Sequence, residues 1–217
     1  MILADSYRDE GAALLNRYQT LNNGGSALIF AGVLAGAWKL IGDSDVTWNF
    51  VVEHADSVFL MVFIIFFRIK MHLDDHEYFE NFGNIISNHK YWSLMVAVAV
   101  WFLMAFAAGT IKYPETSANI LAIAFAICTI WIAVHLMDIS ESKKASPELS
   151  IMPSLRHKWI MINMAYIVLL ILYSLDADIL FTVRGIHFDL TKWGFIVLMI
   201  VVMISDHYIT RRHPVQI

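Results

Sequence analysis

The side chains in this chain best suited to chemistry are histidines and carboxylates at helical spacing. Three stretches carry them: His72-Leu73-Asp74-Asp75-His76, His135-Leu136-Met137-Asp138 and Ser205-Asp206-His207. On a helix, positions i, i+3 and i+4 share one face. His72, Asp75 and His76 then converge, and so do His135 and Asp138. Imidazole with carboxylate is a ligand set for zinc, iron, manganese or nickel. Helical bundles hold metal pairs with such residues on facing helices. One reading is therefore a metalloprotein, either an enzyme or a cofactor-bearing subunit, with a transition metal held among these residues, Asp206 and His207 included. The spacing matches neither H-E-x-x-H nor the histidine boxes of membrane desaturases. The same histidines would also serve as a pH-sensitive gate. A single bis-histidine haem would need His135 facing His72 or His207.

A second constellation lies upstream. Successive helical residues turn by about 100°. On that count Glu53, Asp56, Leu60, Phe63, Phe67, Lys70 and Asp74 fall on one stripe. The stripe is acidic at one end, aromatic in the middle and charged at the other end. A cation pathway with a hydrophobic constriction has this order of residues. Carboxylates would collect cations or protons, and Phe63 and Phe67 would gate by dewetting. The competing reading is plain packing of the phenylalanines. Glu53 and Asp56 would then pair with Lys39, Lys112 or Lys192.

The elements that must position these residues follow from composition. Of 217 residues, 59% are hydrophobic and 16% charged, and the mean hydropathy is +0.61. A soluble domain is about 45–50% apolar and about 25% charged. A net charge of −4 offers no basic surface to a nucleic acid. The lone cysteine, Cys128, excludes a disulfide framework and a cysteine-based metal site. These numbers point to a polytopic membrane protein. The charges at Asp5, Arg8, Asp9, Glu10 and Arg17 do not fit a cleavable signal peptide.

A spanning helix needs about 20 mostly apolar residues. Six segments meet or approach this: about 25–41, 48–70, 91–111, 117–137, 157–176 and 191–209. The expected fold is an all-α integral membrane bundle of about six spans. Residues 1–24 form a cytoplasmic segment, with Leu3, Tyr7, Leu14, Leu15 and Tyr18 spaced as in an amphipathic helix lying on the membrane or packed on the loops. Residues 25–217 form one transmembrane domain. Among the lysines and arginines, only Lys39, Lys112, Arg184 and Lys192 fall on the outer side. The positive-inside bias then places both termini in the cytoplasm, most simply at a cell (inner) membrane. Trp38, Trp48, Trp92, Trp159 and Trp193 sit near the span ends, as an aromatic belt requires.

Two spans are short of apolar length. The charge-free run from Ser57 to Phe67 covers about 16 Å of a core about 30 Å thick. Taking Arg68 as an interface marker, Asp56 and Glu53 lie at membrane depth and must face protein or water. Lesser features include Gly32 and Gly36, spaced for close helix contact, and Asn163, Tyr166 and Tyr173, placed to bond neighbouring helices. The segment from Asp176 to Asp189 reads as a short hairpin or a re-entrant piece.

No G-x-S-x-G, glycine-rich phosphate loop or D-x-x-D-G pattern occurs, so the chain carries no enzyme signature of these kinds. The leading expectation is a multipass transport protein: an oligomeric cation or proton channel, or an ion-balance effector. The alternatives are the metalloprotein and a non-catalytic subunit of a membrane complex. The expected partners are the lipid bilayer and copies of itself or a membrane complex, and no nucleic acid.

Overall fold

Hydroxyl groups show how these helices are built to sit in an apolar medium. Ser26, Thr129 and Ser205 each donate to the carbonyl four residues back, at 2.8–3.0 Å. Such bonds satisfy a polar group without water, as a membrane interior demands. In the computed structural model, the backbone is described for residues 2–42, 46–82, 90–142, 152–177, 179–183, 186–190 and 192–211. Side chains are described for 16–42, 46–71, 92, 94–134, 157–177 and 192–209. The elements are α1 (Ile2–Ile41), α2 (Trp48–Glu53), α3 (Ala55–Phe82), α4 (Lys90–Gly109), α5 (Pro114–Ser142), α6 (Met152–Ser174), β1 (Ile179–Val183), β2 (Ile186–Leu190) and α7 (Lys192–Arg211). Among the described residues the fold is helical apart from one antiparallel hairpin, which pairs Ile179 with Leu190 and Val183 with Ile186. The hairpin reading of this segment therefore holds.

Among the described residues, four helices are long and apolar enough to cross a membrane: Asn16–Ile41, Pro114–Val134, His157–Ser174 and Lys192–Ile209. Leu94–Gly109 in α4 is apolar but shorter among the described residues. Their outward faces are apolar too. Phe30, Leu34 and Trp38 form an exposed stripe on α1 at four-residue spacing. Met161, Met164, Val168, Ile171 and Leu175 do so on α6, and Val197, Val201 and Ile204 on α7. Contiguous apolar faces of this length need lipid around them. The chain is a helical, membrane-embedded protein.

The chain forms two compact units, Met1–Tyr113 and Pro114–Ile217, where one domain over 25–217 was the expectation. In the first unit, α1 packs chiefly on α4. A Cβ on Gly36 would strike the carbonyl oxygen of Ala108, and one on Gly32 that of Ala105. The Gly32/Gly36 step is thus the contact surface between the two helices, closer than any larger side chain allows. Gly42, at φ +52°, ends α1 with its N–H on the Trp38 carbonyl at 2.8 Å.

Residues 2–41 form one helix, so the amphipathic N-terminal helix expected before the first span is not a separate element. Its length is about 60 Å, twice a hydrocarbon core. Gly24 and Gly25 do not break it. Gly25 sits against the Trp101 ring, and Thr20 and Ser26 bond back to their own helix on either side.

In the second unit, α6 packs between α5 and α7. Phe125 of α5 lies 4.8 Å from Tyr166 of α6, centroid to centroid. Leu121, Ala124, Leu170, Tyr173, Phe195 and Met199 complete the core. A Schellman motif closes α6: Ala177 N–H bonds to the Leu172 carbonyl and Asp176 N–H to that of Tyr173, both at 3.1 Å.

Candidate functional site

A charge inside a membrane protein is costly and marks function or a structural anchor. Among the described residues, the first unit holds one such group, Arg68 of α3, only 6% exposed. It lies on the buried stripe of α3 with Ser57, Leu60, Phe63, Ile64 and Phe67. These positions repeat every three or four residues, so the stripe is the protein-facing side of the helix. The Arg68 guanidinium donates to the Asn22 carbonyl at 2.9 Å, to the Asn22 side-chain oxygen, and to Ser26 Oγ at 2.6 Å. Its carbon stands 5.3 Å from the centre of the Trp101 ring. Ser26 Oγ donates in turn to the Asn22 carbonyl, and Tyr18 stands over Asn22. Neutral dipoles and a π-face thus carry much of the charge's solvation here.

The depth of this knot follows from helix rise. At the opposite end, Ser57 Oγ donates to the Ile111 carbonyl at 2.9 Å, and Lys39 Nζ approaches the Gly109 carbonyl. Arg68 lies about 16 Å along α3 from Ser57, and Asn22 about 26 Å along α1 from Lys39. Arg68 is thus turned onto α1 and buried there rather than exposed at the end of α3. The signal that could have revealed this was Asn22 and Ser26, two polar residues one turn apart on an apolar helix.

The acidic and aromatic stripe loses Glu53, while Asp56, Leu60, Phe63, Phe67 and Lys70 keep their helical spacing on α3. It assumed a continuous helix through residues 53–74. The chain breaks at His54, which caps α2 with φ −112° and ψ 23° while its ring stands edge-on to Phe50. Glu53 therefore sits exposed on α2, outside the register of α3. Asp56 opens α3 and accepts the Ser57 N–H at 2.8 Å. Phe63 and Phe67 are buried and stack 6.5 Å apart on one side of α3. They belong to the buried face of α3. The side chain of Asp74 lies outside the described residues.

The metal-type residues divide in the same way. The backbones of His72, Asp75 and His76 lie in α3, and those of His135 and Asp138 in α5. Their side chains lie outside the described residues. Asp206 and His207 are described and face apart: Asp206 is 1% exposed and His207 is exposed. Among the described residues, no group of three or more histidine, cysteine or acidic side chains comes together.

Asp206 is the buried charged side chain of the second unit among the described residues. It lies near enough to Tyr166 to act on it electrostatically, and Tyr166 and Asn163 of α6 are themselves buried. The far end of this unit carries an ion pair, Lys192 Nζ to Glu115 Oε1 at 2.6 Å, with Lys192 also over the Tyr173 ring. Ser174 Oγ bonds Asn119 beside it. From Lys192, Asp206 is about 21 Å along α7, well inside a core about 30 Å thick.

Of the five tryptophans expected at span ends, Trp159 is half-buried, with its indole nitrogen enclosed. Trp38, Trp48, Trp92 and Trp193 are all exposed and lie within a few residues of helix ends. Rings so placed suit the membrane–water interface. The structure thus defines a class, a helical membrane-embedded protein in which Arg68 and Asp206 are the buried charged side chains among the described residues. Beyond that class, the chain matches no family model, no curated protein and no solved structure.

Proposed function

We propose that this protein is a multipass transport protein of a cell (inner) membrane, working as an oligomeric cation or proton channel or as an ion-balance effector. Six helices cross the bilayer in this reading, with both termini in the cytoplasm. The two helices added to the four apolar ones are α3 and α4. What supports α3 is the direction of its charge: Arg68 is buried while Val62 and Ile69 face outward. A helix of this kind reads as too polar by composition yet presents an apolar surface to lipid.

The observation that carries the transport reading is Asp206. A carboxylate 1% exposed on an apolar helix, about 21 Å from the interfacial Lys192–Glu115 pair, is expensive to place and maintain. In this reading Asp206 takes up a proton or holds a cation arriving from the outer side and releases it inward. Glu53 and Asp56, the exposed and half-buried carboxylates of the first unit, collect cations at its own surface in this reading. In this reading the protein works as a homo-oligomer.

The test is reconstitution into liposomes with a pH-sensitive dye inside. Wild-type protein should dissipate an imposed proton gradient, Asp206→Asn should fall to the protein-free rate, and Glu115→Gln should stay near wild type. Equal flux through wild type and a folded, monodisperse Asp206→Asn variant would remove Asp206 from the path.

A further inference from the structure

A groove on the first unit, between α1 and α4, has the chemistry of a lipid-headgroup site. Asn16, Arg17, Thr20, Leu21 and Leu94 line it, with a volume of about 330 Å³. That is at the small end of ligand sites and fits a headgroup with the first carbons of its chains. The lining is graded. Arg17 and Asn16 are at one end, and Leu21 and Leu94 supply apolar wall. No carboxylate is among these residues. Among the described residues Arg17 has no hydrogen-bond or ion-pair partner, and it is exposed. Thr20 Oγ1 already donates to the Asn16 carbonyl at 2.9 Å. The available donors are therefore the Arg17 guanidinium and the Asn16 amide.

Depth decides what this cation meets. Lys39, near the other end of the same helix, reaches toward the Gly109 carbonyl and marks one interface. Arg17 lies about 33 Å away along α1, against a hydrocarbon core of about 30 Å. Its guanidinium therefore falls at the phosphate level of the opposite leaflet. Trp92, 67% exposed near the start of α4, marks an interface independently. An arginine fork matches phosphate oxygens better than a point charge does.

From this geometry we infer that the groove holds the phosphate of an anionic phospholipid in the leaflet opposite Lys39. Arg17 and Asn16 bind the phosphodiester oxygens, and Leu21 and Leu94 lie against the upper acyl chain. The inference needs only the embedded fold and is independent of any transport activity.

Native mass spectrometry on purified protein tests it, with phosphatidylglycerol and phosphatidylcholine as paired probes. Wild type should retain phosphatidylglycerol about fivefold better, the effect of one interfacial arginine on an anionic lipid. Arg17→Gln should erase that preference, and Lys112→Gln, an exposed lysine far from the groove, should keep it. An equal affinity for both lipids would overturn the site. So would a preference that survives Arg17→Gln or is lost equally in Lys112→Gln. Excess inorganic phosphate should leave the lipid bound. Displacement by phosphate that depends on Arg17 would make this a free-anion site and overturn the lipid assignment.

Discussion

Arg68 of α3 donates to Asn22 of α1 twice, once to its backbone carbonyl at 2.9 Å and once to its side-chain oxygen. One residue pair thereby ties two helices in a region where water cannot substitute for either partner. Breaking one side strands the other, so the pair should be strongly coupled. Arg68→Ala is expected to cost roughly 1.5–3 kcal/mol, as for hydrogen bonds to a charged group. Asn22→Ala should cost less, because Ser26 still accepts from Arg68. A double-mutant cycle by unfolding in mixed micelles should return a coupling of about 1 kcal/mol or more. Additive effects would show that the contact adds nothing.

Glycine spacing on α1 makes a second prediction. Gly36→Ala forces a methyl into the Ala108 carbonyl and should destabilise the first unit by roughly 1–3 kcal/mol. Gly24→Ala meets nothing within 4 Å. It should stabilise the helix by up to about 1 kcal/mol. Opposite signs for two identical substitutions on one helix are the readout, by thermal unfolding in detergent. Equal effects would mean that α1 and α4 do not approach at Gly36.

The end of α6 offers a gain of stability. Asp176 holds φ +50° in the Schellman position that usually belongs to glycine. A left-handed conformation costs an L-residue roughly 1–2 kcal/mol, somewhat less for aspartate. Asp176→Gly should therefore raise the melting temperature, with Asp176→Val lowering it. A fall on introducing glycine would show that the aspartate side chain matters more than its backbone.

The aromatic frame is open to fluorescence. In proteins keeping one tryptophan each, Trp38, Trp92 and Trp193 should be quenched most by lipids brominated near the headgroup. Trp101, buried under Arg68 between helices, should be quenched least at any depth. Strong quenching of Trp101 would contradict its packing against Gly25.

The membrane class was legible from composition, and the hairpin from the apolar residues between Asp176 and Asp189. Gly32 and Gly36 were visible as a close-contact step, although two glycines at that spacing also arise by chance. The sites were less legible, for a physical reason. Helical counting gives direction around one axis, and it fails silently when the axis breaks. His54 is such a break, and it removes Glu53 from a stripe that counting had joined. The turn of Arg68 toward α1 was not legible, because a charge at the end of an apolar run looks the same whether it faces headgroups or a neighbouring helix. Only the position of Asn22 and Ser26 distinguishes the two, and that is a fact about another helix. Asp206 was grouped with His207 by adjacency, yet neighbours on a helix point about 100° apart.

The account rests most heavily on ion movement across a membrane through this protein alone. The direct measurement is proton influx into sealed liposomes containing only purified wild-type protein, under an imposed pH gradient and a clamped membrane potential. The account predicts influx that scales with protein content and disappears in Asp206→Asn. Influx indistinguishable from protein-free liposomes, for protons and for the monovalent cations tested beside them, would contradict it.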